Sequence, residues 1–442
     1  MATAELNTFE FLMDHLVEVD LDAVMLDKDK TAEKPLEPIH CETFEELNAA
    51  FDGALWWAES LEYTLATAIA THLSVQMSGE MLYVHILAPP STGKSTIIDC
   101  ILADKKGTFA LSKTTGLYSG YKGTGSDEGL VPRINGKLLV FKDLTAMMKM
   151  SGWDTFLGEL RDLSDGSGDT HFKNGEGKSY GNVNFGILTG VTDILRASDT
   201  STEGDRFLVV DLTAPYHGSK EHGNVAINNT YAELQRSHQK RIAATAPNDE
   251  PETVRKEVID TLRRKTLGFI EHTRNVYNTI AFPAITPWMQ NKINALGQLG
   301  SYVRAKVHRE KGDLKFYPRR EAPTRLNSQL TKLAVCLAMV LRKKELDQQI
   351  YKMIRKILFD TISGIPFKAF QIIGQKPEGI EKKTLAAAMP DLTSTHVDRL
   401  IADFMVLKIV TKIRSAGTHN TNRYALAPNL RAIWDAVKDD PA

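Results

Sequence analysis

The sequence is poor in cysteine and contains no long hydrophobic run. Its three cysteines, at positions 41, 100 and 336 of 442, form no CxxC pair, which argues against a disulfide framework and against a zinc site. The longest apolar runs, such as residues 333–341, are too short to span a bilayer, and no signal-peptide pattern is present. We therefore expect a soluble cytoplasmic protein with no membrane partner, working in a reducing compartment.

A large net charge is also lacking, but the two signs are distributed unevenly. Residues 1–60 carry 15 acidic and 3 basic side chains, a net charge of −12, whereas the other residues carry 51 basic and 40 acidic side chains, a net charge of +11. A basic body is suited to a polyanion such as nucleic acid. The acidic N-terminal region either shields this basic body, binds a protein partner or is an ordinary solvated surface.

The strongest motif is a phosphate-binding loop (P-loop) at residues 82–96. The apolar run 82–87 predicts a buried strand, and the apolar spacing after Lys94 predicts a helix whose N-terminus receives phosphate. Ala88 replaces the usual first glycine, which requires an ordinary backbone conformation there. Lys94 would reach the β- and γ-phosphates of ATP, and the Ser95 hydroxyl would bind Mg²⁺. The expected nucleotide-binding residues are Ala88, Pro89, Pro90, Ser91, Thr92, Gly93, Lys94, Ser95 and Thr96.

Three further apolar runs predict strands with polar residues at their ends. Residues 138–143 end in Asp143, a position suited to binding Mg²⁺ or polarising the attacking water. Residues 185–192 end in Thr192, where a nucleotide-sensing residue would lie. Arg206 lies near the start of the run 204–212. Strands that alternate with helices or hairpins predict a parallel α/β sheet with its site at the carboxyl ends of the strands.

Glycine-rich segments interrupt this pattern twice. Residues 113–129 contain five glycines and predict an exposed insertion. After a predicted helix at 153–163, the dipeptide Asn174-Gly175 predicts a hairpin turn. The turn places Lys173 and Lys178 near the hairpin tip, where ordinary solvated lysines are the alternative interpretation.

The C-terminal half has mainly helical spacing. A polar linker at 213–253 leads into helices as far as residue 365, among which residues 301–320 are locally basic and Arg325 opens a long helix. From residue 367 the pattern predicts a winged helix, with helices at 380–389 and from the N-cap Ser394, and strands at 408–413 and 423–426. Winged helices bind DNA or other proteins, and both remain open.

Taken in order, these parts resemble the minichromosome maintenance (MCM) branch of the AAA+ ATPases over roughly residues 60–430. The loop and the strand ends also resemble helicase-like ATPases of phages and mobile elements. The resemblance implies an α/β P-loop AAA+ core with a helical lid, an N-terminal helical segment and a C-terminal winged helix. The implied domains are an acidic helical region at 1–75, the ATPase core at 76–215, a linker and lid at 216–365, and the winged helix at 366–442.

The resemblance also implies roles for single residues. Segment 163–184 corresponds to the presensor-1 hairpin of that family, in which Lys173 and Lys178 would touch DNA. Two positions depart from the family pattern, since Lys142-Asp143 replaces Asp-Glu and Thr192 replaces the usual Asn of sensor 1. The implied catalytic residues are Asp143 at the Mg²⁺ site, Thr192 as sensor 1, Arg206 as the arginine finger that acts on the neighbouring subunit's nucleotide, and Arg325 as sensor 2, with Glu159 and Asp162 as candidates for the missing acid.

Together these features predict a ring-forming, ATP-driven DNA translocase, a replicative helicase of a phage or mobile element. It would assemble as a hexamer on single-stranded or forked DNA, with ATP and Mg²⁺ at the subunit interfaces. An alternative is a non-unwinding AAA+ switch, such as an initiator, a loader or a defence regulator. A P-loop kinase or transferase is a third candidate, but it leaves Arg206, the lid and the winged helix unexplained.

Overall fold

The structure is a computed structural model in which part of the chain is described. The described residues are 36–54, 59–89, 92–112, 117–118, 129–149, 152–171, 177–192, 206–212, 231, 234–235, 254–277, 279, 281–310, 312–414 and 422–438. Apart from residues 36 and 37, all of them belong to one compact unit, Pro38–Ala442. Three predicted site residues, Pro90, Ser91 and Lys173, lie outside the described residues, as do residues 1–35 of the acidic helical region expected at 1–75.

A five-stranded parallel sheet lies at the centre of this unit. The strands stand in the order β2-β3-β6-β1-β7 and all neighbours are parallel, which confirms the predicted α/β core. The elements up to β7 are α1 (Phe44–Ala54), α2 (Glu59–Ser74), β1 (Tyr83–Leu87), α3 (Lys94–Ile101), β2 (Thr108–Ala110), α4 (Leu130–Ile134), β3 (Leu138–Phe141), α5 (Leu144–Met147), α6 (Trp153–Leu163), β4 (Gly168–His171), β5 (Gly177–Tyr180), β6 (Gly186–Val191) and β7 (Phe207–Asp211).

Both faces of the sheet are covered, because successive side chains of a strand point to opposite faces. Val84 and Ile86 of β1 belong to one core cluster, which also contains side chains of α2, α3 and the C-terminal helices. Tyr83 and Leu87 belong to a second cluster with α4, α5 and α6. Residues of β1, β3 and β6 are buried throughout, which explains why these strands read as continuous apolar runs rather than alternating ones.

Helices follow the sheet as far as residue 361. They are α7 (Val254–Val276), α8 (Pro287–Val303), α9 (Thr324–Val340) and α10 (Gln348–Thr361), with a short hairpin of β8 (Arg309–Glu310) and β9 (Asp313–Leu314) between α8 and α9. Within the described residues, no helix combines the length and the hydrophobicity needed to cross a membrane.

Helix α10 covers the edge strand β7. The Thr361 hydroxyl accepts the N–H of Val209 at 2.8 Å, and the Asp360 carboxylate accepts the N–H of Asp211 at 2.9 Å. Lys356 donates to the same carboxylate at 2.6 Å. These side chains satisfy backbone groups that an open sheet edge would leave unpaired, so α10 fixes the position of β7.

The C-terminal segment forms a small antiparallel sheet with helices. Its elements are α11 (Ile365–Gly374), β10 (Ile380–Glu381), α12 (Lys382–Ala387), α13 (Ser394–Val406), β11 (Val410–Arg414), β12 (Asn422–Leu426) and α14 (Pro428–Val437), with strand order β10-β12-β11.

Two details of the sequence prediction were wrong in this segment. The first helix begins later than expected, because Ile380 and Glu381 pair with β12. The N-cap of α13 is Thr393, whose hydroxyl accepts the N–H of His396, and Ser394 is the first helical residue. Val397, Ile401 and Phe404 form the buried face of α13.

Candidate nucleotide-binding site

The described part of the loop between β1 and α3 contains a glycine in the left-handed conformation. Gly93 caps α3 in the left-handed region, with φ 91°, a conformation that glycine adopts without steric cost. The Thr92 hydroxyl donates to the carbonyl of Pro89 at 2.9 Å and closes the turn from inside. Helix α3 begins at Lys94, so its first backbone N–H groups and its positive dipole end face the carboxyl edge of the sheet.

Lys94 is buried at this edge, with 8% of its surface exposed. Its ammonium donates to the carbonyl of Val191 at 2.8 Å and to that of Ala88 at 3.4 Å. The N–H of Ala88 also donates to Val191, at 3.1 Å, so the two strand ends are held together around the lysine. Because carbonyl oxygens carry only partial charge, a phosphate oxygen is a stronger partner for this ammonium.

Gly190 makes room for the lysine, although the sequence analysis did not single it out. A Cβ atom there would lie 2.5 Å from the carbonyl oxygen of Lys142 and 3.2 Å from Cδ of Lys94. A glycine inside a strand marks close approach of another group, and that signal was present in the Thr-Gly-Val sequence of β6. Gly190 therefore lets β3, β6 and the P-loop helix meet.

Asp143 and Thr192 are joined through Thr145, a second residue that the sequence analysis missed. Asp143 caps helix α5 and its carboxylate accepts the N–H of Thr145 at 2.9 Å. The Thr145 hydroxyl lies 3.2 Å from the Thr192 hydroxyl and accepts the N–H of Thr192 at 3.2 Å. The Asp-x-Thr spacing of a helix N-cap is the sequence signal for this link. The carboxyl ends of β3 and β6 are thereby coupled.

The oxygen atoms at this edge fit a magnesium ion bound together with phosphate. Ser95 and Asp143 are both exposed and supply a hydroxyl and a carboxylate, which are hard oxygen ligands. The described residues contain no group of three or more His, Cys, Asp or Glu placed to hold a metal. Mg²⁺ needs none, since it is usually held by one or two protein oxygens, phosphates and water.

The candidates for the missing acid and the residue beside Asp143 have other partners. Lys142, which stands at the first position of the expected Asp-Glu pair, forms an ion pair of 2.5 Å with Asp99 of α3. The Glu159 carboxylate accepts the N–H of Leu117 at 2.7 Å, and burial raises the pKa of this carboxyl. Glu159 therefore holds the described part of the glycine-rich insertion.

Arg206 lies at the opposite edge of the sheet. It precedes β7, whose first residue Phe207 is level with Tyr83 at the amino end of β1, about 13 Å of strand away from the P-loop. Its guanidinium donates to Ser164, at short distance, and to Asp165 at 3.3 Å. The Arg206 side chain is 12% exposed, whereas Asp165 is 72% exposed.

Arg325 lies on the same side as Arg206. Its guanidinium is 3.7 Å from Glu80, which precedes β1, and 3.3 Å from Glu321. One turn further along α9, the Gln329 amide donates to the backbone carbonyl of Arg206 at 2.7 Å. The structure therefore places both predicted catalytic arginines together, and it does not bring them to the P-loop of the same chain.

The predicted hairpin is present as the antiparallel pair β4–β5. Lys178 stands opposite Thr170 in this pair and is half-buried. The ring of Tyr180 stacks on Tyr118, with centroids 5.9 Å apart. The hairpin thus packs against the described end of the glycine-rich insertion.

The chain matches no protein-family model, and no curated protein matches it as a relative. The side chains at the two edges of the sheet are therefore the basis for assigning an activity.

Proposed function

We propose that the protein is a ring-forming ATPase that moves along DNA, an AAA+ helicase of the MCM-like type that serves replication of a phage or mobile element. The main support for this proposal is that the cationic side chains lie at two opposite edges of one sheet. Lys94 is buried at the carboxyl edge, and Arg206 and Arg325 lie at the amino edge. A complete site for a triphosphate then forms only between neighbouring subunits.

The carboxyl edge binds the nucleotide in this proposal. The turn at Gly93 and the N-terminus of α3 surround the phosphates, and Lys94 leaves its carbonyl partners for the β- and γ-phosphate oxygens. Ser95 and Asp143 hold the magnesium ion, which neutralises charge on the phosphates when it is bound. Thr192 responds to the presence or absence of the γ-phosphate. A shift of Thr192 moves Asp143, because both residues are hydrogen-bonded to Thr145.

The amino edge acts on the neighbour's nucleotide. Arg206 exchanges its exposed partner Asp165 for the γ-phosphate of the adjoining subunit, where an arginine finger contributes roughly 10³ to 10⁵ in rate. An ion pair with a carboxylate that is 72% exposed is weak and easily exchanged. Arg325 moves together with Arg206, because Gln329, one turn further along α9, donates to the backbone carbonyl of Arg206.

The β4–β5 hairpin provides the contact with DNA. Strand β5 leads directly into β6, which ends next to Thr192, so a shift of β6 on hydrolysis moves the hairpin. The phosphate backbone of the DNA is then moved by Lys178 and by Lys173, which lies outside the described residues. Contacts to phosphates do not depend on the base sequence.

The C-terminal elements support the finer architecture. Helices α9 and α10 act as the lid, since they bond to the backbone of β7 and Arg206. The β10-β12-β11 sheet with α12 and α13 has the order of a winged helix, and the exposed side of α13 includes Thr395, His396 and Arg399. A DNA duplex is the partner proposed for this surface.

One observation favours a slower, non-unwinding switch as a second candidate. Lys142 pairs with Asp99 at 2.5 Å, at the position where the family pattern has the first acid of an Asp-Glu pair. An ATPase with one carboxylate fewer at its magnesium site is expected to hydrolyse slowly, as an initiator or loader does.

Strand displacement from forked DNA distinguishes the two candidates. The purified protein with ATP and Mg²⁺ is expected to separate a labelled fork, and Lys94→Ala is expected to abolish both separation and hydrolysis. Nucleotide-dependent rings that hydrolyse ATP but leave forks intact would favour the switch. Hydrolysis at the parent rate by Lys94→Ala would reject the P-loop assignment and both candidates.

A further inference from the structure

The connection between α8 and α9 forms a surface that none of the roles above uses. A cavity of about 560 Å³ opens here, and we call it the aromatic groove. It lies beside the β8–β9 hairpin. Its lining includes Arg304, Lys306, His308, Phe316, Tyr317 and Arg319.

Two aromatic rings of the groove face solvent. Tyr317 is 85% exposed and Phe316 is 52% exposed, so burial of these rings contributes little to folding. The ring centroids of His308 and Phe316 are 5.2 Å apart, so the aromatic rings form a cluster. Exposed aromatic faces beside positive charge are the stacking platforms that single-stranded nucleic acids use.

Positive charge is in excess around these rings. Residues 301–321 contain seven basic and three acidic side chains. Two of the three acids already have basic partners, since Glu310 lies 4.0 Å from Lys315 and Glu321 lies 3.3 Å from Arg325. The remaining excess suits a polyanion, whose phosphates release counterions when basic side chains bind them.

The groove is held in place rather than suspended on a loose loop. Arg309 of the hairpin donates two hydrogen bonds to Asp403 of α13, at 2.9 and 2.6 Å. At its base, the Ser301 hydroxyl donates to the carbonyl of Glu321 at 2.5 Å. Arg320 lies over the ring of Tyr302, 3.9 Å from its centroid. A surface fixed in this way loses little conformational freedom when a ligand binds.

We propose that the aromatic groove binds single-stranded DNA, with bases stacked on Tyr317 and Phe316 and phosphates contacted by Arg304, Lys306 and Arg319. The strand is the one that the proposed translocase moves, so the inference rests on the proposed function for its ligand. It requires neither ATP hydrolysis nor the β4–β5 hairpin. An acidic peptide would satisfy the charges but would leave the two exposed rings without a stacking partner.

Fluorescence anisotropy of a labelled oligo-dT with the full-length protein, without nucleotide, tests the stacking. Tyr317→Ala is expected to weaken binding by about 5-fold or more, the range measured for loss of one base–aromatic stack. Tyr231→Ala is the matched control, because that tyrosine is 68% exposed and lies outside the groove; its affinity should equal the parent's. Equal affinity of Tyr317→Ala and the parent would overturn the proposal.

The salt dependence tests the phosphate contacts separately. Arg319→Ala is expected to lower the slope of log affinity against log salt by about 0.7, whereas Lys105→Ala, an exposed lysine on another surface, should leave it unchanged. Oligonucleotides with 5-iodouracil are expected to cross-link to the peptide that contains Phe316 and Tyr317. Cross-links confined to other peptides, or a parent protein that binds acidic peptide and not DNA, would overturn the proposal.

ATPase activity measured on the same samples separates the two claims. A parent that hydrolyses ATP and binds oligo-dT equally well with and without Tyr317 rejects the groove and leaves the proposed function standing. A parent that binds oligo-dT through Tyr317 but has no ATPase activity supports the groove and rejects the translocase.

Discussion

The two edges of the central sheet differ in how they hold their cationic side chains. At the carboxyl edge, Lys94 is buried and donates to the carbonyls of Val191 and Ala88. At the amino edge, Arg206 and Arg325 are paired with carboxylates. Under the proposed function, Lys94 binds the nucleotide of its own subunit, whereas the two arginines exchange their carboxylate partners for the nucleotide of a neighbouring subunit.

Not every charge at the amino edge is exchangeable. Asp104 precedes β2, is 2% exposed and contacts both His72, at 2.9 Å, and Arg274. Gly107 allows this close approach, since a Cβ there would lie within 2.3 Å of the Asp104 carboxylate. We propose that the buried cluster has a structural role, whereas the ion pair between the largely buried Arg206 and the exposed Asp165 has a functional one. Substitutions in the buried cluster and at the ion pair test this distinction.

Arg206→Ala should produce the largest effect. Loss of the finger is expected to lower ATP turnover by roughly 10³-fold, with ATP affinity nearly unchanged because the P-loop is intact. Lys94→Ala, in contrast, should lose both affinity and turnover. Steady-state ATPase assays and titration with a labelled nucleotide measure the two quantities. Arg133→Ala, an exposed arginine near β2, is the control and should keep parent turnover; normal turnover in Arg206→Ala would contradict the assignment.

Asp104→Asn should lower the free energy of unfolding by about 3 to 5 kcal/mol at pH 7, the usual cost of removing one partner from a buried ion pair. Although burial disfavours its charge, the bond with His72 and the charge of Arg274 hold the pKa of the Asp104 carboxyl well below its ordinary value. Its stabilisation is therefore fully present above the unfolded-state pKa, about 4, and is lost as the pH falls further.

Urea denaturation at a series of pH values measures this effect. The parent should lose stability below about pH 4, and Asp104→Asn should show a flatter pH dependence. Asp391→Asn, an exposed residue of the C-terminal segment, should behave like the parent. Parallel curves for the parent and Asp104→Asn would show that this cluster does not stabilise the amino edge.

Gly190→Ala should disturb the carboxyl edge. The added methyl group must displace the carbonyl of Lys142 or the Lys94 side chain, and overpacking of this kind costs about 1 to 3 kcal/mol. ATP affinity should fall together with stability, because Lys94 moves. Gly158→Ala in α6 has no atom within 4 Å of the new Cβ and is the matched control. Unchanged ATP affinity in Gly190→Ala would separate this glycine from the nucleotide site.

Thr361→Val should have the smallest effect, about 1 kcal/mol, since it leaves the N–H of Val209 without its acceptor. Because Arg206 directly precedes β7, a shift of this strand moves the proposed finger, and ATP turnover is expected to fall further than ATP affinity. Thermal unfolding and ATPase assays measure the two effects. Thr395→Val on the exposed side of α13 should change neither, and a Thr361→Val protein with full stability would show that α10 does not hold the edge strand.

The apolar strands of the sheet could be predicted because each is buried on both faces. The predicted ends of β1, β3, β6 and β7 differ from those in the structure by at most three residues. Strand β2 was missed, since it has only three residues, Thr108–Ala110, at a sheet edge. A run this short carries no periodicity from which a strand can be inferred.

The contacts between elements could not be predicted, because they depend on strand order and on register. Nothing local indicates that Arg206 meets Ser164 and Asp165, or that Gln329 reaches its carbonyl from more than a hundred residues away. Glu159 was a candidate for the missing acid on sequence grounds, and its bond to Leu117 appears only in the folded chain. The sequence therefore suggested Lys94, Arg206 and Arg325 as candidates, but not the partners that each has in the folded chain.

Mixed rings test most directly whether one site is built from two chains. Arg206→Ala and Lys94→Ala subunits are each expected to be inactive alone. In mixed rings with head-to-tail contacts, about a quarter of the interfaces should pair an intact P-loop with an intact finger, so ATPase activity should return. Recovery to that fraction of the parent rate is the predicted result, whereas no recovery in rings shown by mass to contain both variants would contradict the shared site.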